Sequence, residues 1–573
     1  MVRTGSVERC LKEVNISITL SKLMIVTIII ISLNISCLSN HQLEPSSTTS
    51  QSEKNTQAVR NSRLGRRLLN SPDNNNKPLT STSLVSNSRN ISDHQKLRLR
   101  QLPSLCNEPN GGESFSGFID LDRNRSMFFW FFPARLDTDR APLVLWLNGG
   151  PGSSSMIGLF QEHGPCRVRR DSSGLDHNPE SWNQNANMLY LDQPIGVGYS
   201  TGFKNVSTSI EAAVDVYDAL QIFLSHTSFS KLSGRSFGLW TESYGGRYGP
   251  IFLGYFLKMN AEALKNSTNT RVIIPIKSLG IGNGLIDPIS QYLAYVTYAQ
   301  DNPYRPNLVS GDIIEKANLQ FSRPGGCKDQ LNECNTKNDD PICNRALTFC
   351  DDKMMTNMSG GRDVYDVRSP SPPIYPPNLT VILNEPRLKS QIGVPINFNW
   401  SEGNDEVFGN FLTTGDGARS TVKELEEIVN AGIRTLIYAG DADFIVNYHG
   451  VESVINNLNT KFKDRFVKQK LEDWIVEGQL AGKFKTVENL SYIRVLEAGH
   501  EVPAYGKGTL AVGRAARIFF EQTISDKPIS GEKNEKISSS SSNGVISKNG
   551  LRVITLWLGS SSIGIQFLSW FLL

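Results

Sequence analysis

Glu242-Ser243-Tyr244-Gly245-Gly246 follows the apolar run Phe237-Gly238-Leu239-Trp240 and precedes a stretch with helical spacing. A serine hydroxyl becomes a useful nucleophile when a sharp strand-to-helix turn exposes it, a base takes its proton and backbone donors await the oxyanion. The small residues after Ser243 suit such a turn. The G-x-S-x-G pattern is incomplete, because Thr241 stands where the first glycine belongs and adds bulk where strand and helix approach. Two later segments offer partners. Tyr438-Ala439-Gly440-Asp441-Ala442-Asp443 places an acidic pair at a strand end, and Gly499-His500-Glu501-Val502-Pro503 places a histidine in the turn after the strand Tyr492–Leu496.

The order Ser, Asp, His along the chain is that of α/β-hydrolases. The elements needed to position these residues are legible. Leu143–Leu147 reads as a buried strand ended by Asn148-Gly149-Gly150-Pro151-Gly152, and Met188–Leu191 as another ended by Asp192-Gln193-Pro194. Ile210, Ala213, Val214, Tyr217, Leu220 and Leu224 recur at helical spacing, and Gly245–Met259 predicts the helix after the serine turn. Ile274–Ile281 and Ile433–Tyr438 are further strands. The pattern predicts an α/β-hydrolase fold, a mixed, mostly parallel sheet flanked by helices. From 287 to 394 the period is lost and prolines cluster at Pro370, Pro372, Pro373, Pro376 and Pro377. A loop-rich stretch of that length predicts a functional insertion, a cap over the site.

The ends of the 573-residue chain read as processing segments. The apolar run Leu23–Leu33 follows Arg3, Arg9, Lys12 and Lys22, so 1–37 predicts a secretory signal. Residues 38–102 are polar, a flexible leader or a pro-segment processed at Arg66-Arg67. After a globular region at 103–525 and a Ser-rich linker at 526–552, residues 553–573 form an uncharged apolar tail. Small residues, spacer and tail are the order of a glycosylphosphatidylinositol signal, with attachment expected at Ser542; the rival is a tail-anchored helix. The expected location is the cell surface, lipid-anchored or released. Sequons at Asn124, Asn205, Asn266, Asn357, Asn378, Asn399 and Asn489 suit that compartment. A net charge of +3 with no basic stripe argues against a nucleic-acid partner. No close C-x-x-C pair suggests a metal site, and no cofactor is expected.

Five motifs carry a resemblance: Trp146-Leu147-Asn148-Gly149-Gly150-Pro151-Gly152-Ser153-Ser154-Ser155, Gln161-Glu162-His163-Gly164-Pro165, Glu242-Ser243-Tyr244, Gly440-Asp441-Ala442-Asp443 and Gly499-His500. With them the chain resembles the serine carboxypeptidase family, and within it the fungal secreted carboxypeptidase S1 group. The resemblance implies Ser243 as nucleophile, His500 as general base and then acid, and Asp443 as the group orienting the imidazole, with Asp441 its competitor. It implies oxyanion donors at the N–H groups of Gly150 and Tyr244. Asn148, Glu162 and Glu242 would bind the substrate's C-terminal carboxylate, with Trp146 packed behind Asn148. Carboxyl groups can bind a carboxylate only if they bring protons, so the two glutamates are expected to be coupled and to favour acidic pH. The substrates implied are C-termini of peptides and proteins, cleaved through an acyl-enzyme. Alternatives are acyl transfer to an alcohol and a non-catalytic surface glycoprotein. Cys327, Cys334, Cys343 and Cys350 suit nested pairs Cys327 with Cys350 and Cys334 with Cys343, leaving Cys106 for Cys166, although spacing alone allows other connectivities. Many family members carry a cysteine where this chain has Ser153, so the bridge tying that loop elsewhere should be absent.

Overall fold

Runs rich in Leu, Val, Phe and Trp form most strands of one large sheet. The computed structural model describes residues 96–532 apart from 104, 107–111, 204–205, 266–269 and 372–375. The expected signal, most of the polar leader, Ser542, the apolar tail, Asn205 and Asn266 lie outside the described residues. The strands are β1 (Lys96–Leu102), β2 (Ser114–Asp122), β3 (Arg125–Phe132), β4 (Leu143–Leu147), β5 (Cys166–Val168), β6 (Leu175–His177), β7 (Asn187–Leu191), β8 (Thr201–Gly202), β9 (Phe237–Glu242), β10 (Ile276–Gly282), β11 (Arg434–Gly440), β12 (Glu472–Val476), β13 (Gln479–Val487) and β14 (Leu490–Val495). β5 and β6 pair as a separate two-stranded sheet, and in the large sheet β7, β4, β9, β10, β11 and β14 are successive parallel neighbours. Antiparallel strands extend it on both sides, β3, β2 and β1 beyond β7, and β13 and β12 beyond β14. This is the mixed sheet of an α/β-hydrolase, parallel through its six central strands and antiparallel on either side.

Parallel strands with helices on both faces must be apolar on both sides, and β4 and β7 are buried at every position. Leu145 and Leu239 face a core shared with α1 (Ser209–Ser225) and α2 (Gly245–Lys265). Trp146 and Trp240 face the opposite core, where Trp182 stacks on Phe520.

The insertion differs from its loop-rich expectation, because it is largely helical. It contains α3 (Pro288–Gln300), α4 (Gly311–Ser322), α5 (Cys327–Lys337), α6 (Asp340–Cys350), α7 (Thr380–Leu383) and α8 (Pro386–Ile392), followed by α9 (Asp405–Thr414) and α10 (Val422–Asn430). Its prolines include helix starters: Pro288, Pro341 and Pro386 lie in first turns, where a missing N–H costs nothing. Asp287 and Asp339 cap α3 and α6 by accepting from Ser290 N and Ile342 N. Disulfides Cys327–Cys350 and Cys334–Cys343 nest between α5 and α6, and Cys106 joins Cys166, the pairing that the spacing suited.

The domain limits also need correction. Lys96–Leu102, assigned to the polar leader, is the edge strand β1, whose register pairs Lys96 with Asp120 and Leu102 with Ser114. Leu97 and Leu99 pack on the core while Arg98 and Arg100 are exposed, a period of two inside an otherwise polar stretch. At the other end the packing continues past 525, since Ile529 is buried and Glu532 N donates to Ile475 O.

Candidate active site

The C-terminal ends of parallel neighbours converge on one edge of the sheet, and each ends in a short turn. Ser243 follows β9 directly with φ 63°, a left-handed backbone that a non-glycine residue keeps only when its surroundings over-determine it. They do: Ser243 N donates to Gly282 O, and Ser243 O accepts from Gly246 N and Leu285 N. Thr241 is accommodated by its neighbours. Its hydroxyl donates to Gly245 O at 2.8 Å, and a Cβ at Gly245 would lie 2.5 Å from the Thr241 Cβ. The bulk at the first motif position is therefore offset by Gly245.

Asp443 and His500 meet in the loops after β11 and β14. His500 Nδ1 bonds Asp443 Oδ2 at 2.8 Å, and both side chains are buried. Asp443 also accepts from Ile445 N, Val446 N and Asn283 Nδ2, the last at 2.7 Å. Asn283 belongs to the turn after β10, between the serine and aspartate strands, and its Oδ1 accepts from Gly440 N. Among the described residues His500 Nε2, the nitrogen that would face a nucleophile, has no hydrogen-bond partner. Asp441 stands apart from this chain of bonds. It accepts from Tyr304 Oη at 2.6 Å and Glu497 N at 2.8 Å, which pins the turn.

The glycine-rich loop after β4 lies against the serine turn. A Cβ at Gly149 would come within 2.4 Å of Tyr244 N, and Gly150 has φ 105°. Among the described residues neither Gly150 N–H nor Tyr244 N–H, the donors that the resemblance implies, donates to a backbone acceptor. Asp192 holds this loop from the β7 end, accepting from Ser154 Oγ, Ser155 N and Tyr199 N. At Ser153, the position read as departing from the family, a backbone strap takes hold: Ser153 bridges Gly403, Ser154 N donates to Glu402 O, and Asn404 N donates to Gly152 O.

Asn148, Glu162 and Glu242 come together beside the serine. Asn148 Oδ1 accepts from Trp146 Nε1 at 2.7 Å and Gly158 N at 2.9 Å, which turns its Nδ2 toward Glu162 Oε1 at 3.3 Å and Glu242 Oε1 at 3.2 Å. Gly158 is required for this approach, because a Cβ there would lie 2.1 Å from the Trp146 indole nitrogen. Glu162 ends a π-helical turn, Gly158–Glu162, an irregularity frequent at functional sites. Burial pushes both carboxyls above the usual range, and Glu242 is driven further by Glu162, Glu501 and Asp443. Two carboxylates within reach of one amide repel each other when both are ionised. Burial and this repulsion favour the protonated form of the pair, whose outer oxygens Glu162 Oε2 and Glu242 Oε2 have no hydrogen-bond partner among the described residues.

Sequence reasoning missed Asn283 and Glu501. Asn283 follows the predicted strand Ile274–Ile281, and its position between two site-bearing strands was the available signal. Glu501, next to His500, is a further carboxyl raised by burial and by Glu162, Glu402 and Asp363. Of the sequons, Asn124, Asn357, Asn378 and Asn399 are exposed. Asn489 is half-buried and donates its amide to Val429 O and Ile433 O, bonds that a glycan on that nitrogen would disrupt, so it is withdrawn as a glycosylation candidate.

A family model described as serine carboxypeptidase matches residues 103–515. The chain is 38% identical over 429 residues to carboxypeptidase S1 of Penicillium janthinellum, covering 74% of this chain and 98% of that protein. It is 34% identical over 494 residues to carboxypeptidase S1 homolog A of Arthroderma otae, covering 73% and 75% of the two chains. In fold it matches the Kex1 prohormone-processing carboxypeptidase of Saccharomyces cerevisiae with a TM-score of 0.59 at 24% identity, over 74% of this chain and 94% of that one. With a model match across the whole catalytic region and a relative matched over almost its full length, the chain belongs to the serine carboxypeptidase family.

Proposed function

We propose that this serine carboxypeptidase works at acidic pH on the C-termini of peptides and proteins through an acyl-enzyme. Ser243 Oγ attacks the scissile carbonyl carbon while His500 Nε2 takes its proton, and the Asp443 carboxylate holds the imidazolium through Nδ1–H. The carbonyl oxygen becomes an oxyanion bonded by Gly150 N–H and Tyr244 N–H. As the C–N bond breaks, His500 returns the proton to the departing amine, and water then repeats the sequence to release the acyl group.

The observation that carries the reading is the amide-bridged carboxyl pair, Asn148 with Glu162 and Glu242, set beside the serine turn. A protonated carboxyl and an amide donor are suited to the terminal carboxylate of a substrate; a general esterase has no use for them. Two buried glutamates sharing protons suit acidic pH, because the site loses its donors as pH rises through their elevated pKa values. Secretion, glycosylation at the exposed sequons and a lipid anchor near Ser542 complete the proposal, supported by the sequence order of signal, linker and tail.

The test is release of the terminal amino acid from an N-blocked dipeptide by purified protein between pH 4 and pH 8, with Ser243→Ala in parallel. Release by the wild type alone is expected, strongest at the acidic end. No release under any condition would sink the peptidase reading, and transfer of the acyl group to an added alcohol in preference to water would favour the acyltransferase alternative.

A further inference from the structure

The carboxylate of Asp416 lies in the turn between α9 and α10, far along the chain from the serine, yet it is buried under the turn that bears it. Four donors reach it from two other elements. Tyr244 Oη donates at 2.5 Å, Arg247 Nε at 2.9 Å, Ser209 Oγ at 2.6 Å and Ser209 N at 3.2 Å. Ser209 opens α1, whereas Tyr244 and Arg247 are the residue after Ser243 and the residue one turn later. The Tyr244 ring is closed in by Tyr248 and Phe411, with ring centroids at 5.3 Å and 5.9 Å.

We propose that Asp416 is a positioning residue for the oxyanion donor: by clamping the Tyr244 hydroxyl and the Arg247 guanidinium, it aims the Tyr244 N–H at the tetrahedral oxygen. The proposal rests on the reading of Tyr244 N–H as that donor. Ser243 sits in strained backbone, so the peptide that follows it keeps its direction only if the residues on either side are fixed. Ser243 is fixed by Gly282 and Leu285, and Tyr244 by Asp416 through its side chain. An ordinary buried ion pair needs one cation. This carboxylate instead gathers the hydroxyl of Tyr244, the guanidinium of the same first turn and the N-terminus of α1.

The clamp is braced from outside. Arg419, three residues on, donates to Asn338 Oδ1 and Asp340 Oδ1, both at 2.6 Å, and its carbonyl accepts from Arg247. Ser420 N donates to Asn335 Oδ1, and Asn344 Nδ2 to Leu412 O. Those partners lie on or between α5 and α6, which Cys334–Cys343 and Cys327–Cys350 tie together. The disulfide hairpin of the insertion therefore supports the turn that holds the oxyanion donor. Burial alone would push the Asp416 carboxyl up, but Arg247 and the bonds from Ser209 and Tyr244 bring it below the ordinary range.

Tyr244→Phe removes one hydroxyl and leaves the Arg247–Asp416 pair; Asp416→Asn removes the charge. Asp215→Asn, farther along α1 in the buried pair with Arg125, controls for the general cost of disturbing an ion pair near the clamp. The readouts are the thermal midpoint, kcat and KM on a blocked dipeptide, and the rate at which a fluorophosphonate labels Ser243. Tyr244→Phe should lower kcat and the labelling rate in parallel by about 10-fold and Asp416→Asn by about 100-fold, with KM within about twofold, the size expected for a misdirected oxyanion donor. Asp215→Asn should lower the midpoint and leave labelling unchanged. Labelling of both clamp variants at the wild-type rate would overturn the proposal. If wild type labels at Ser243 but releases no amino acid, the peptidase reading fails while the labelling ratios still judge Asp416; if Ser243 of the wild type does not label, both fail.

Discussion

Ser243 concentrates two costs in one residue, a left-handed backbone and, in the proposed mechanism, a hydroxyl that must lose its proton. The strain is of the order of 1–3 kcal/mol for a residue with a Cβ and nearly nothing for glycine. Ser243→Ala and Ser243→Gly should therefore both lose turnover by roughly 10⁴-fold or more, yet differ in stability. The alanine variant should unfold with the wild type and the glycine variant about 1 kcal/mol later, as denaturant titration would register. Equal stability of the two would mean that the turn is unstrained. The residues of the proposed triad were readable because each follows an apolar run, and strand-end chemistry is local. Asn283 was not, because its importance comes from donating across strands to Asp443, a relation between β10 and β11 that no single segment contains. Thr241 looked like a defect for the same reason, its compensation lying at Gly245.

Between elements, the loop after β4 and the turn after β9 meet backbone to backbone, and Gly149 permits it. Its Cβ would stand 2.4 Å from Tyr244 N and 2.6 Å from Glu242 O, neither of which can swing away as a side chain would. Gly149→Ala should push the loop off the serine turn and cut kcat/KM by about 100-fold or more, since one misplaced oxyanion donor costs that much. Gly254→Ala, in α2 with nothing within 4 Å of its added Cβ, should leave kinetics unchanged and stabilise by up to about 1 kcal/mol. Elements with strong apolar period, such as β4, β9 and α1, were read from the sequence with small boundary shifts. The helices of the insertion were hidden because their stability comes from caps, first-turn prolines and disulfides more than from an apolar stripe; α5 buries only Cys327, Leu331 and Cys334. Strand β1 was hidden by its polar surroundings, although its Leu-Arg alternation carried the signal.

For the whole molecule, the site's carboxyls link stability to pH. Glu162 and Glu242 have native pKa values raised above those of the unfolded chain, so the folded state holds protons that the unfolded state has released. Their cost is absent below the unfolded value near 4.3, grows as pH rises and is complete above the native values. Glu162→Gln should therefore match the wild type in stability near pH 4 and exceed it by about 1–3 kcal/mol at neutral pH, measured by thermal or denaturant unfolding. A difference independent of pH would contradict the coupled pair. In the proposed function the same protons govern recognition of the free chain end, the central claim. Its most direct measurement compares kcat/KM for a blocked dipeptide with that for its C-terminally amidated twin across pH. The acid should be preferred by about 10- to 100-fold at acidic pH, the scale of a charge-assisted hydrogen bond, with the preference falling through KM as pH rises and flattened by Glu242→Gln. Equal cleavage of acid and amide at every pH would contradict the account.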